Sequence, residues 1–92
     1  MKGEDANVQF VAHVFVMPKP SILDPQGKAV ASSLHSLGYG EVRDARLGKL
    51  IELELDGPDR DGVAARVDEM CKRLLANGII EDYRFELEAT RS

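Results

Sequence analysis

Histidine, cysteine and paired carboxylates are the side chains with which a chain of this size could do chemistry, and here they do not assemble. His13 falls in a run of β-branched and aromatic residues and His35 in a helical segment. Neither has a cysteine or a second histidine at the spacing a zinc site needs. The one cysteine, Cys71, recurs with Val67 and Leu74 on the inward stripe of a helix, where a thiol acts as a small hydrophobe. It has no intramolecular disulfide partner, and without a CxxC pair a metal chaperone is disfavoured. Glu52 and Glu54 share one strand face, but no apolar surroundings or pocket would raise a pKa for general acid–base work, so a solvated face is expected. No GxxxxGK[ST] loop occurs, and Gly38-Tyr39-Gly40 opens a strand rather than a helix, so it cradles no phosphate. No nucleophile stands with a plausible base. What remains is a basic cluster, Arg43, Arg46 and Lys49, able to meet an acidic partner or to balance neighbouring glutamates.

A surface with no assembled chemistry directs attention to the domain that carries it. The 92 residues make one domain, since a domain usually takes about 100 to 200. A chain this short buries only about 60 to 65% of the surface it exposes when unfolded, so self-association would help it. A net charge of −4, with twelve scattered basic residues, argues against a nucleic-acid module, whose affinity comes mostly from clustered Lys and Arg. No secretory leader pattern opens the chain, and no apolar run approaches the roughly 20 residues that span a bilayer. A soluble, cytoplasmic protein without membrane contact is expected.

Residues 8–17 predict a strand with Val8, Phe10, Ala12, Val14 and Val16 on one face and Val11, Phe15 and Met17 on the other. Both faces are apolar, so something must cover the second. Pro18 and Pro20 end the strand because proline donates nothing to a ladder. Asp24-Pro25 predicts a helix start: the carboxylate accepts from orphan amides, and proline at the first position loses no useful bond. That helix should reach about Leu37, with Val30, Leu34 and Leu37 inward, small Gly27 and Ala31 beside them, and Gly38 closing it in the left-handed conformation. Residues 41–47 and 50–56 read as two strands, joined at Gly48-Lys49 by a tight hairpin or by a glycine kink in one long strand. A second helix is expected from Asp59–Asp61 to about Ala76, with Val63, Val67, Met70, Cys71, Leu74 and Leu75 at spacings of three and four, capped by Gly78. Residues 79–87 complete the sheet.

Strand, helix, strand, strand, helix, strand is the order of an α+β, ferredoxin-like βαββαβ domain, an antiparallel sheet with two helices on one face. The expected domain spans residues 8–87, between polar tails at 1–7 and 88–92.

Five motifs at consistent separations then add a family to this reading. They are Leu23-Asp24-Pro25-Gln26-Gly27-Lys28-Ala29, Leu34-His35-Ser36-Leu37-Gly38-Tyr39, Arg46-Leu47-Gly48-Lys49 with Ile51-Glu52-Leu53, Met70-Cys71 through Leu74-Leu75-Ala76-Asn77, and Ile80-Glu81-Asp82-Tyr83-Arg84-Phe85-Glu86-Leu87. Together they resemble the PurS family, the small subunits of bacterial and archaeal phosphoribosylformylglycinamidine (FGAM) synthase. The resemblance implies a non-catalytic subunit that binds no cofactor of its own and dimerises, alone or as a dimer of dimers. Its implied partners are PurL, which uses ATP and Mg to amidate formylglycinamide ribonucleotide (FGAR), and PurQ, which draws ammonia from glutamine. Two contact sets are expected: Val11, Phe15 and Met17 for pairing of copies through strand one, and Arg46 and Lys49 for the larger subunits. A small ligand-sensing domain resembling the ACT type is the competing expectation. It fits poorly, because the loop after strand one, Pro18-Lys19-Pro20-Ser21, is stiff and lacks the usual glycine.

Overall fold

A computed structural model describes residues 8–90, and the expected tail at 1–7 lies outside them. Its elements are β1 (Val8–Pro18), α1 (Pro25–Ser36), β2 (Lys49–Gly57), α2 (Arg60–Met70), a π-helical turn (Cys71–Leu75) and β3 (Glu81–Thr90). β1 is the central strand of an antiparallel sheet ordered β2-β1-β3, with Val14 opposite both Ile51 and Phe85. Phe10, Ala12, Val14 and Val16 point from it into the core and meet Val63, Val67 and Cys71 from the helix above. Each fully buried valine contributes about 1.5 to 3 kcal/mol, so this one strand and one helix face hold most of the apolar stabilisation. Ile51, Leu53 and Leu55 on β2, and Tyr83, Phe85 and Leu87 on β3, flank the core only half-buried.

α2 begins where Asp59 accepts the Gly62 amide at 2.7 Å, as its acidic N-cap predicts. It ends in the π turn, whose last bond runs from the Ala76 amide to the Cys71 carbonyl. Gly78 is not in the left-handed conformation expected of a cap; Asn77 closes the turn instead, donating from its amide to Glu81 and accepting the Ile79 amide on its side chain. Gly38 does close α1, at φ +102°.

The α+β, ferredoxin-like type holds, with three departures in detail. Residues 41–47 form no strand, and Gly48-Lys49 forms neither hairpin nor kinked strand. Instead two of its backbone groups are held by side chains of the arm, the Leu47 amide by Asp24 and the Val42 carbonyl by His35. Second, α2 alone covers the sheet. α1 buries only Gly27, and its Val30 and the following Leu37 are exposed, so the two helices do not share the sheet face. Third, β3 continues to Thr90, placing Glu88, Ala89 and Thr90 in register with Val11, Phe10 and Gln9 rather than in a tail.

α1 and residues 41–47 therefore form an arm beyond the end of the sheet. The molecule measures 61 × 28 × 14 Å, with a radius of gyration of 17.9 Å. A compact domain of this length would have about 12 Å.

Candidate protein interaction surface

Among the described residues two surfaces lack cover: the sheet face opposite α2, and the arm. On the sheet face, alternation brings Val11, His13, Phe15 and Met17 to one side of β1, all half-buried. The register then fixes their neighbours. Val11 lies between Glu54 and Glu88, His13 between Glu52 and Glu86, Phe15 between Leu50 and Arg84, while Met17 faces Asp82. Phe15 is not a bare apolar anchor, because the Arg84 guanidinium lies 4.0 Å from its ring centroid and also donates to Glu86 at 2.8 Å. His13 Nε2 stands 3.6 Å from Glu52. An apolar strip thus runs between two rows of carboxylates, a charge pattern that only the cross-strand register reveals.

The arm is held by Asp24. One carboxylate oxygen caps α1 through the Gly27 amide at 2.9 Å, and the other accepts the Leu47 amide at 2.8 Å. These two amides, Leu47 first, hold the Asp24 carboxyl below the usual carboxylate range despite some desolvation, with Arg46 adding its charge. Gly27 fits against the Ala45 carbonyl, where a Cβ would collide with backbone. His35 meets the Val42 carbonyl through Nε2 at the far end. Arg46 lies beside Asp24 in this clasp and Lys49 opens β2 opposite Val16, both exposed. The structure therefore places Val11, Phe15 and Met17 together on β1, and places Arg46 and Lys49 at the root of the arm, Lys49 paired with Val16 between Phe15 and Met17.

Sequence reasoning found the N-cap role of Asp24 but missed its bond to Leu47, which spans 23 residues and has no periodic signal. It also missed a polar contact beneath α2, where Tyr83 donates to Asp68 at 2.5 Å and Lys72 approaches Asp68 at 3.0 Å. The Tyr83 bond, then Lys72, lowers the Asp68 pKa, and the same bond pushes the Tyr83 phenol up to about 12. Cys71 is fully buried, and desolvation, followed by the Asp68 charge, raises its thiol pKa. That suppresses the thiolate and agrees with a packing role. Among the described residues no group of three or more His, Cys, Asp or Glu gathers as a metal site, and no helix is long and apolar enough to cross a membrane.

Comparison with known proteins supplies the family. The family model for PurS, phosphoribosylformylglycinamidine (FGAM) synthase, matches residues 11–89. The PurS subunit of Bacillus subtilis is 55% identical over 75 residues, covering 82% of this chain and 88% of that one. That of Methanocaldococcus jannaschii is 34% identical over 79 residues, covering 86% and 95%. Among solved structures, Thermus thermophilus PurS superposes with a TM-score of 0.81 at 32% identity, over 90% of this chain and 99% of that one. The PurLQS structure from Thermotoga maritima contains a chain matching with a TM-score of 0.77 at 27% identity, over 89% and 98%. The ACT-type alternative is not favoured. A family match reaching from β1 to the last residues of β3, with relatives this similar along nearly their whole length, means that this chain belongs to the PurS family.

Proposed function

We propose that the chain is the non-catalytic small subunit of an FGAM synthase, acting in the cytoplasm in de novo purine biosynthesis. It brings the PurL synthetase and the PurQ glutaminase together for the ATP-, Mg- and glutamine-dependent conversion of FGAR to FGAM. The observation that carries this reading is the pair of surfaces left uncovered among the described residues of a PurS-family chain. The PurLQS relative gives it a context.

The five contact positions divide between these surfaces, with roles that charge reassigns. Two copies paired face to face through Val11, Phe15 and Met17 would oppose their rows of Glu52, Glu54, Asp82, Glu86 and Glu88, and like charges so juxtaposed are costly. The open sheet face suits a basic surface of a larger subunit. Arg46 and Lys49, at the root of the arm, suit contacts between copies in a dimer or dimer of dimers. Mixing the chain with PurL and PurQ tests the function: glutamine-dependent amidation should require it, and equal rates with and without it would overturn the assignment.

A further inference from the structure

We propose that the open sheet face takes an amphipathic helix of a larger subunit, one whose narrow apolar stripe is flanked on both sides by Lys or Arg; this rests on the subunit reading above. The face changes character along its length. Around Val11 and His13 the register sets Glu52 and Glu54 on one side and Glu86 and Glu88 on the other, and Asp56, opposite Gln9, extends the β2 row. All five carboxylates are exposed. Two have a cation nearby, His13 at 3.6 Å from Glu52 and Arg84 at 2.8 Å from Glu86. Among the described residues Glu54, Asp56 and Glu88 make no ion pair. Toward Met17 the face turns apolar, with the exposed Leu50 opposite Phe15 and the Arg84 guanidinium over the Phe15 ring.

Spacing and charge together select the occupant. The two acidic rows lie on the strands either side of β1, so they stand about 9.5 Å apart, twice the distance between neighbouring strands. A helix with its side chains is about 10 to 12 Å wide, so its apolar stripe can rest on Val11, Phe15 and Met17 while both of its flanks reach the rows. Lys and Arg suit those flanks, their stems lying along the strip and their charged ends meeting carboxylates. A second copy would set acidic rows on acidic rows. A partner sheet would bring apolar side chains onto β2 and β3 as well as β1, and would bury unpaired glutamates there. A single extended segment turns one file of side chains toward the face and leaves both rows unmet.

The test uses the full chain assembled with PurL and PurQ. A benzophenone side chain placed at position 15 should photo-cross-link to residues three or four apart on one segment of a larger subunit, with Lys or Arg on both sides of the linked residues. Links to a second copy of this chain, links to alternate residues of an extended segment, or no links overturn the proposal. Charge reversal gives an independent measure. Glu54→Lys with Glu88→Lys should weaken assembly about tenfold or more, because each lysine then faces a basic flank. The two positions lie on either side of Val11, so the double variant keeps a like-charged pair there and the sheet gains no new repulsion. Asp61→Lys with Glu69→Lys, a reversal of the same size at exposed positions of α2, should leave assembly unchanged. Equal losses in the two variants, or no loss in the first, overturn the site. Should the first variant lose its circular dichroism, the cross-links at position 15 decide. Amidation that does not need the chain would remove the subunit reading itself, whereas amidation that needs it, with no helix linked to position 15, removes only this docking site.

Discussion

Asp24 binds Leu47 across 23 residues, its Oδ2 accepting the Leu47 amide at 2.8 Å while Oδ1 holds the Gly27 amide at 2.9 Å. One carboxylate thereby caps α1 and anchors the irregular segment that returns beside it. Asp24→Ala should release the return segment while leaving the sheet folded. Amide exchange at Leu47 and Gly27 should accelerate strongly, with Val14 and Val67 unchanged; protected arm amides in the variant would contradict this account.

The same clasp is pH-dependent. The Asp24 pKa is depressed in the folded chain relative to its ordinary 3.8, chiefly by the Leu47 amide. Below 3.8 the unfolded chain binds more protons, so the contribution is present above that value and fades as pH falls through the depressed folded pKa. Titrating the Leu47 and Gly27 amide shifts downward in pH should locate the loss below 3.8.

Gly27→Ala reverses an ordinary expectation. In an exposed helix interior alanine is better than glycine by about 1 kcal/mol. Here the added Cβ would strike the Ala45 carbonyl, so the substitution should loosen the arm. Faster exchange at Leu47 is the expected outcome, and a more protected arm would refute it.

Tyr83 should titrate near 12, because ionising it opposes its bond to Asp68. A phenol pKa raised from 10.0 in the folded chain gives a contribution that is complete below 10.0 and is lost as pH rises through about 12. Spectrophotometric titration should show the shift, and Asp68→Asn should reduce it.

Core and surface valines and leucines should separate by energy. Val67→Ala removes buried methyl groups at 0% exposure and should cost about 2 kcal/mol in denaturant unfolding. Leu74→Ala, at 82% exposure, should change stability by less than about 0.5 kcal/mol despite lying on the same predicted stripe.

Phe15→Asp distinguishes the two surfaces. It breaks the Arg84 contact and adds a carboxylate to the acidic face, so co-purification with PurL should fall while the sedimenting mass of the chain stays the same. Dissociation into single chains would restore the face-to-face pairing expected from sequence.

Periodicity and capping in the sequence determined β1, α1, β2, α2 and β3, because apolar alternation, Asp24-Pro25, Asp59 and Gly38 act within a few residues of themselves. The inward set Phe10, Ala12, Val14, Val16, Val63, Val67 and Cys71 was legible for the same reason. The five motifs carried the family as well. Tertiary structure alone decided that residues 41–47 bond to α1 instead of to β2, since Leu47 is drawn by an aspartate 23 positions away. It alone decided that Phe15 sits under Arg84 and that Val11 lies between Glu54 and Glu88, because cross-strand register is a property of pairs, not of runs. The helical stripe Val30, Leu34 and Leu37 was read correctly as apolar, but a period of 3.6 states only that a face seeks cover. Which sheet supplies it depends on where the arm is held.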